Sequence, residues 1–173
     1  MVATTSACSS GVRADGPLRV GGDDADEPFA RDCAPAQPGK TTVTMNNGPI
    51  FNDADERLTI SAVSMVEARE MSLIEAVLVP DEGPTNGARY PQPPEKAGAG
   101  WPDRVPAEGA VLQPGDEWWF VVGLAAEGPT PSVRRFQVDY VDESGQRYRA
   151  RTGTSIAVRP KCIGVEIDWP EGW

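Results

Sequence analysis

The sequence predicts an all-β chain folded as one antiparallel sandwich, and three observations carry that expectation. With 18 Gly and 17 Pro in 173 residues, the composition favours many turns and short strands over long helices. The stretch Leu112-Gln113-Pro114-Gly115-Asp116-Glu117-Trp118-Trp119-Phe120-Val121-Val122-Gly123-Leu124 sets a Pro-Gly turn before aromatic and β-branched residues, the strongest strand signal in the chain. Period-two alternation recurs in several other segments, each bounded by turn residues. The length suits one domain with tails, able to bury a core without a metal or several disulfides.

Charge and composition exclude several functions. A formal charge of −10 repels phosphate backbones, and the Lys and Arg residues are too scattered for a nucleic-acid footprint. The chain has no His, which rules out Ser-His-Asp and Cys-His catalysis and removes the commonest metal ligand. No Gly-rich phosphate loop stands between a strand and a helix, so no cofactor is expected.

Residues 1–32 are poor in large apolar side chains and rich in Gly, Ser, Asp and Pro, so they are read as a flexible leader. Within it, Thr5-Ser6-Ala7-Cys8-Ser9-Ser10-Gly11 resembles the end of a bacterial lipoprotein signal peptide. That resemblance implies lipid on Cys8 and a protein anchored on the outer face of the bacterial membrane. Thr5 stands where Leu is usual, and Met1 to Ala7 lack charged and apolar signal regions, which places the expected start upstream of Met1.

The domain is expected over 33–163. Cys33 and Cys162 flank the first and last confident strands. A bridge between them would join the ends of one domain and imply export. Two separate buried thiols, or Cys8 paired with either, are the alternatives. Thr41–Met45 is β-branched and precedes Asn46-Asn47-Gly48-Pro49, which reads as a turn. In Leu58–Val66, Leu58, Ile60, Ala62 and Val66 are placed on one face. Residues 67–71 form helix-forming but short material, hence a connection. The strand 72–79 has Ile74, Ala76 and Leu78 on one face and Leu73, Val77 and Val79 on the other, so it is covered on both sides.

From Pro80 to Ala110 the chain carries seven prolines and little periodicity. A loop this long is functional, disordered or anchored by its own aromatics, Tyr90 and Trp101. The segments 132–141 and 146–158 flank Asp142-Glu143-Ser144-Gly145, a type I turn with Gly145 left-handed. That turn sets Tyr140 opposite Tyr148, Asp139 opposite Arg149 and Val138 opposite Ala150. Phe136, Val138, Tyr140, Tyr148 and Ala150 then point inward, while Arg147, Arg149 and Arg151 form an outward cationic stripe. It is either a solvated sheet face or a patch for carboxylate or phosphate. In the tail 164–173, Val165, Ile167 and Trp169 alternate with polar residues, which predicts an edge strand packing on the sheet.

The acidic clusters Asp23, Asp24, Asp26, Glu27 and Asn52, Asp53, Asp55, Glu56 offer oxygen ligands but lack the EF-hand pattern. No metal site is expected.

Over residues 40–159 the layout resembles a bacterial immunoglobulin-like or fibronectin-type sandwich. With the leader, it resembles exported lipoproteins. The resemblance implies a non-enzymatic envelope protein that binds or assembles with another envelope protein or a surface glycan, meeting the membrane only through Cys8. The alternative is a domain for carbohydrate or an anionic small molecule. The candidate binding residues are Tyr90, Trp101, Trp119, Arg147, Arg149 and Arg151. Trp118, Phe120, Val122 and Leu124 lie on one face of the central strand, with Trp119 and Val121 on the other. One core cannot bury both faces, so either the long loop or the tail must cover the second, or a partner does.

Overall fold

The run Glu117–Ala126 becomes the strand that two cores share. The computed structural model describes residues 11–21, 30–37, 41–80, 83–171 and 173. Their strands are β1 (Leu18–Val20), β2 (Ala30–Pro35), β3 (Thr41–Asn52), β4 (Leu58–Val66), β5 (Met71–Val79), β6 (Gly87–Ala88), β7 (Val105–Pro106), β8 (Val111–Leu112), β9 (Glu117–Ala126), β10 (Ser132–Val133), β11 (Arg135–Val141), β12 (Arg147–Arg151) and β13 (Thr154–Arg159). One sheet runs β1-β3-β9-β5-β7, with β6 also on β3; a second runs β12-β11-β4-β8; a third runs β10-β13-β2. The fold is the expected all-β sandwich, antiparallel among the described strands except that β2 and β13 pair in parallel.

The main core lies between the sheets. Phe120, Val122 and Leu124 of β9 meet Leu58 and Ile60 of β4 and Phe136, Val138 and Tyr140 of β11 there, all buried. Phe120 and Phe136 pack edge to face at 6.4 Å. The opposite face of β9 carries Trp119, Val121 and Gly123. Val121 joins Val77, Val79, Tyr90, Ala97 and Trp101 in a second, smaller core, with Trp119 half-buried against it. The long loop, not the tail, therefore covers the second face. Gly123 makes the seat: a Cβ there would lie 2.4 Å from the Tyr90 ring, so only glycine lets that ring rest on the strand.

Tyr90 and Trp101 were candidates for docking; both are turned inward instead, 9% and 8% exposed. Their rings meet edge to face at 6.0 Å. The Tyr90 N–H donates to Thr42 Oγ1 at 2.8 Å, its hydroxyl donates to Glu75, and the Arg104 guanidinium lies 4.4 Å from the Trp101 ring. These bonds anchor a loop whose composition alone gave no reason for order.

Three register shifts and a break correct the sequence reading. Asn46-Asn47-Gly48-Pro49 is not a turn but a bulge within β3, where the pairing with β9 shifts register. Gly48 takes φ +86°, the Asn46 side chain accepts the Gly48 N–H, and Pro49, lacking a donor, sits where the ladder is interrupted. In β4 the pairing with β11 shifts at Ser61, so Val63 and Met65, not Ala62 and Val66, pack on the core. A shift at Ile74 turns that residue out, 47% exposed, and brings Leu73 and Ala76 to the core. The hairpin register is as expected: Tyr140 opposes Tyr148, Asp139 opposes Arg149 and Val138 opposes Ala150, with Gly145 at φ +82°. Its second strand does not run on to Val158. At Thr152, whose backbone and hydroxyl both bond Phe136, the chain leaves for the third sheet.

The leader reading sets its boundary too late. Leu18–Val20 pairs with β3, and Leu18 and Val20 are buried; two apolar residues flanking Arg19 are enough when a sheet edge receives them. Cys33 and Cys162 form the expected disulfide. Because it closes 129 residues, the double substitution Cys33→Ser/Cys162→Ser should lower unfolding free energy by roughly 4 to 5 kcal/mol on the chain-entropy estimate. Denaturant midpoints check this. Trp101→Ala should cost about 3 kcal/mol, the ordinary cost of a large core truncation, and thermal melting should register it without any ligand present.

Candidate anion-binding groove

The N-terminal arm creates the most distinctive surface of the molecule by crossing from one sheet to the other. At Arg13 it lies parallel to β12: the Arg13 N–H donates to Arg147 O at 3.0 Å and Arg13 O accepts from the Arg149 N–H at 2.7 Å. At Leu18 it has joined β3 in the six-stranded sheet. Between these points it passes over Tyr140 and Tyr148, whose rings stack at 5.2 Å. A Cβ on Gly16 would lie 2.0 Å from the Tyr140 hydroxyl and 2.6 Å from the Tyr148 ring, so the crossing needs glycine. The Leu18 N–H then donates to that hydroxyl at 3.1 Å.

Along this seam runs a groove of about 540 Å³. Its charged lining is Arg13, Arg19, Arg135, Arg149 and Arg151, with no Asp or Glu lining it among the described residues. Carboxylates hold three of these guanidiniums from outside the lining: Asp15 bonds Arg13, Asp53 bonds Arg19, and Asp139 takes Arg149 in a two-point bond at 2.7 and 3.2 Å. Arg151 donates to the neutral Gln137 amide at 3.4 Å. The charged side chains among its described lining are thus all cationic, in a chain of charge −10. The bond to Asp139 raises the pKa of Arg149 further, and the Arg13 guanidinium holds the Asp15 carboxyl below its usual range. Planar guanidinium forks bind carboxylate and phosphate oxygens in pairs, and prior ion pairs fix their orientation.

Of the predicted stripe, Arg149 and Arg151 line the groove. Arg147 is exposed and gives its carbonyl to the arm. Trp119 sits half-buried beneath the long loop, away from this surface. Cys8 and the acidic cluster at 23–27 lie outside the described residues. In the second acidic cluster the Asn52 side chain is already committed: its amide donates to Glu56 O and Leu112 O and its oxygen accepts from the Ala54 N–H. Arg13, Arg19 and Arg135 were missed. The available signal was Leu18-Arg19-Val20, three residues of strand alternation inside a stretch dismissed on composition.

The sequence matches no protein-family model and no curated protein. Among solved structures, it is similar to the Vibrio cholerae VesB protease, with a TM-score of 0.40 and 12% identity over 83% of this chain and 32% of that one. The chain therefore spans about a third of the protease chain's length. It is also similar to the ASH / PapD-like domain 7 of human CEP192, with a TM-score of 0.34 and 9% identity over 96% of both chains.

All three tyrosines of the chain resist ionisation. Burial pushes the Tyr140 hydroxyl up to about 12. Burial, with a bond to the Glu75 carboxylate, raises Tyr90; burial, with a bond to Asp142, raises Tyr148. A raised folded-state value means stability that is full below about pH 10, where free tyrosine ionises, and that falls as pH climbs toward 12. Absorbance at 295 nm should therefore show no tyrosinate near pH 10 in the native protein. Ionisation and unfolding should arrive together above it.

Proposed function

We propose that the protein is an exported, non-enzymatic envelope domain, tethered by lipid on Cys8, that holds a carboxylate- or phosphate-bearing group of another envelope component. The observation that carries this reading is the arginine-lined groove: among the described residues, five guanidiniums and no carboxylate line one cavity of an acidic protein. The Cys33–Cys162 bridge supports an oxidising compartment outside the cytoplasm, and no helix among the described residues is long and apolar enough to cross a membrane. The reading through Tyr90 and Trp101 loses its support, because both side chains are committed to the protein's own second core.

Binding at the groove makes a quantitative demand. A hydrogen bond to a charged group is worth about 1.5–3 kcal/mol, so each arginine that meets the anion should contribute about tenfold or more in affinity. Calorimetric titration with inorganic phosphate and with citrate, at low ionic strength, should show saturable binding that weakens as salt rises. The Arg149→Ala/Arg151→Ala protein should lose at least about a hundredfold on the same scale. Arg104→Ala, placed on the long loop over Trp101, should bind as the wild type does. Equal titration curves for the wild-type and doubly substituted proteins would sink the proposal.

A further inference from the structure

The C-terminal segment presents a second surface, built from different residues than the groove. It does not form the expected edge strand; Gly164 takes φ +68°, and Ile163 and Val165 point to solvent, 87% and 41% exposed. A segment serving only to seal the sheet would bury these aliphatic side chains first. Its order comes instead from two tryptophans held by cations. Arg31 of β2 lies 5.7 Å from the Trp169 ring and Arg69 lies 6.0 Å from the Trp173 ring. Trp173 Nε1 donates to Glu67 Oε2 at 3.1 Å, Arg31 donates to the Trp173 carbonyl oxygen, and Arg159 donates to Asp168 O at 3.3 Å. Both rings are thereby fixed while remaining only half-buried, with centroids 6.5 Å apart and planes 36° apart.

A shallow cavity of about 530 Å³ opens beside them, with Arg31, Glu166, Asp168, Trp169 and Trp173 in its lining. We propose that this cavity is a binding platform for a neutral oligosaccharide. A pyranose ring has an apolar face of C–H bonds and a rim of hydroxyls that both donate and accept. Indole surface fixed in advance receives the apolar face with little entropy lost on binding. The Glu166 and Asp168 carboxylates accept hydroxyl protons at the rim, while Arg31 holds the indole and the Trp173 backbone in place. Among the described residues its lining holds two carboxylates against one guanidinium, a negative excess. An acidic sugar is disfavoured there, whereas the arginine groove favours anions. The two surfaces therefore select opposite ligand chemistries.

Titrating the full chain with cellohexaose, chitohexaose and mannohexaose, read by tryptophan fluorescence, tests this. At least one sugar should give a saturable change with a dissociation constant of about 1 mM or tighter. Trp169→Ala should weaken it at least about tenfold and Trp169→Phe should restore most of it. Glu166→Gln, at an exposed position that leaves the fold intact, should weaken it too. Arg149→Ala/Arg151→Ala should leave sugar binding unchanged, so this result stands or falls apart from the groove. Absence of saturable binding for all three sugars, or equal affinity in Trp169→Ala and Glu166→Gln, overturns the platform.

Discussion

A strand that is apolar on both faces cannot be satisfied by one sandwich core, and the architecture follows from that constraint. Facing inward, Phe120, Val122 and Leu124 of β9 nucleate the main core. Facing outward, Trp119, Val121 and Gly123 would expose a continuous apolar patch of the kind monomeric domains avoid. The chain answers with the segment between β5 and β9. That segment must be long enough to cross the outer face, rich enough in Pro to lose little entropy on ordering, and supplied with two large aromatics. Its length, which looks excessive for a connection, is what covering the strand requires.

The same economy explains the two ends of the domain. β2 pairs in parallel with β13 over six residues, and the disulfide fastens the two at Cys33 and Cys162. The hydrogen bonds hold register in the folded state, while the covalent link restricts the unfolded chain, so the two contributions act on different sides of the equilibrium. The arm joins the opposite sheet edges in another way. Its crossing over the Tyr140–Tyr148 stack requires Gly16, where no Cβ would fit, and the arginine-lined groove runs along the same seam.

Much of this was legible in the residues, and the failures share a cause. The two faces of β9, the hairpin register and the disulfide rest on period-two alternation, one turn with Gly at the left-handed position, and cysteine placement. Each of these is local or nearly so. What went astray was wherever a single inserted residue resets the alternation: Ser61 and Ile74 each flip the faces downstream, and Asn46–Pro49 reads as a turn because turn and bulge use the same residue types. Pairing partners decide between them, and partners are set by tertiary structure. The three arginines of the stripe alternate with core-facing Tyr148 and Ala150 as expected, and two of them, Arg149 and Arg151, line the groove. Their assembly into a groove was not legible, since Arg13 and Arg19 arrive from 130 or more positions away in sequence, on an arm whose composition argues for disorder.

Charge distribution gives the two candidate surfaces their meaning. A chain of −10 could scatter its few cations as solubilising partners for carboxylates, and a surface pair of that kind contributes little stability. Here the paired arginines are arranged differently. Asp15, Asp53 and Asp139 meet Arg13, Arg19 and Arg149 without lining the groove, so each pair orients a guanidinium that lines the seam. At the tail the roles are reversed: Arg31 and Arg69 spend their charge on the faces of Trp169 and Trp173, which leaves Glu166 and Asp168 to set the sign of the cavity beside them. Arginine therefore serves as the recognising group at one end and as the scaffold at the other. The distinction rests on what each guanidinium faces, a carboxylate behind it or an indole beneath it.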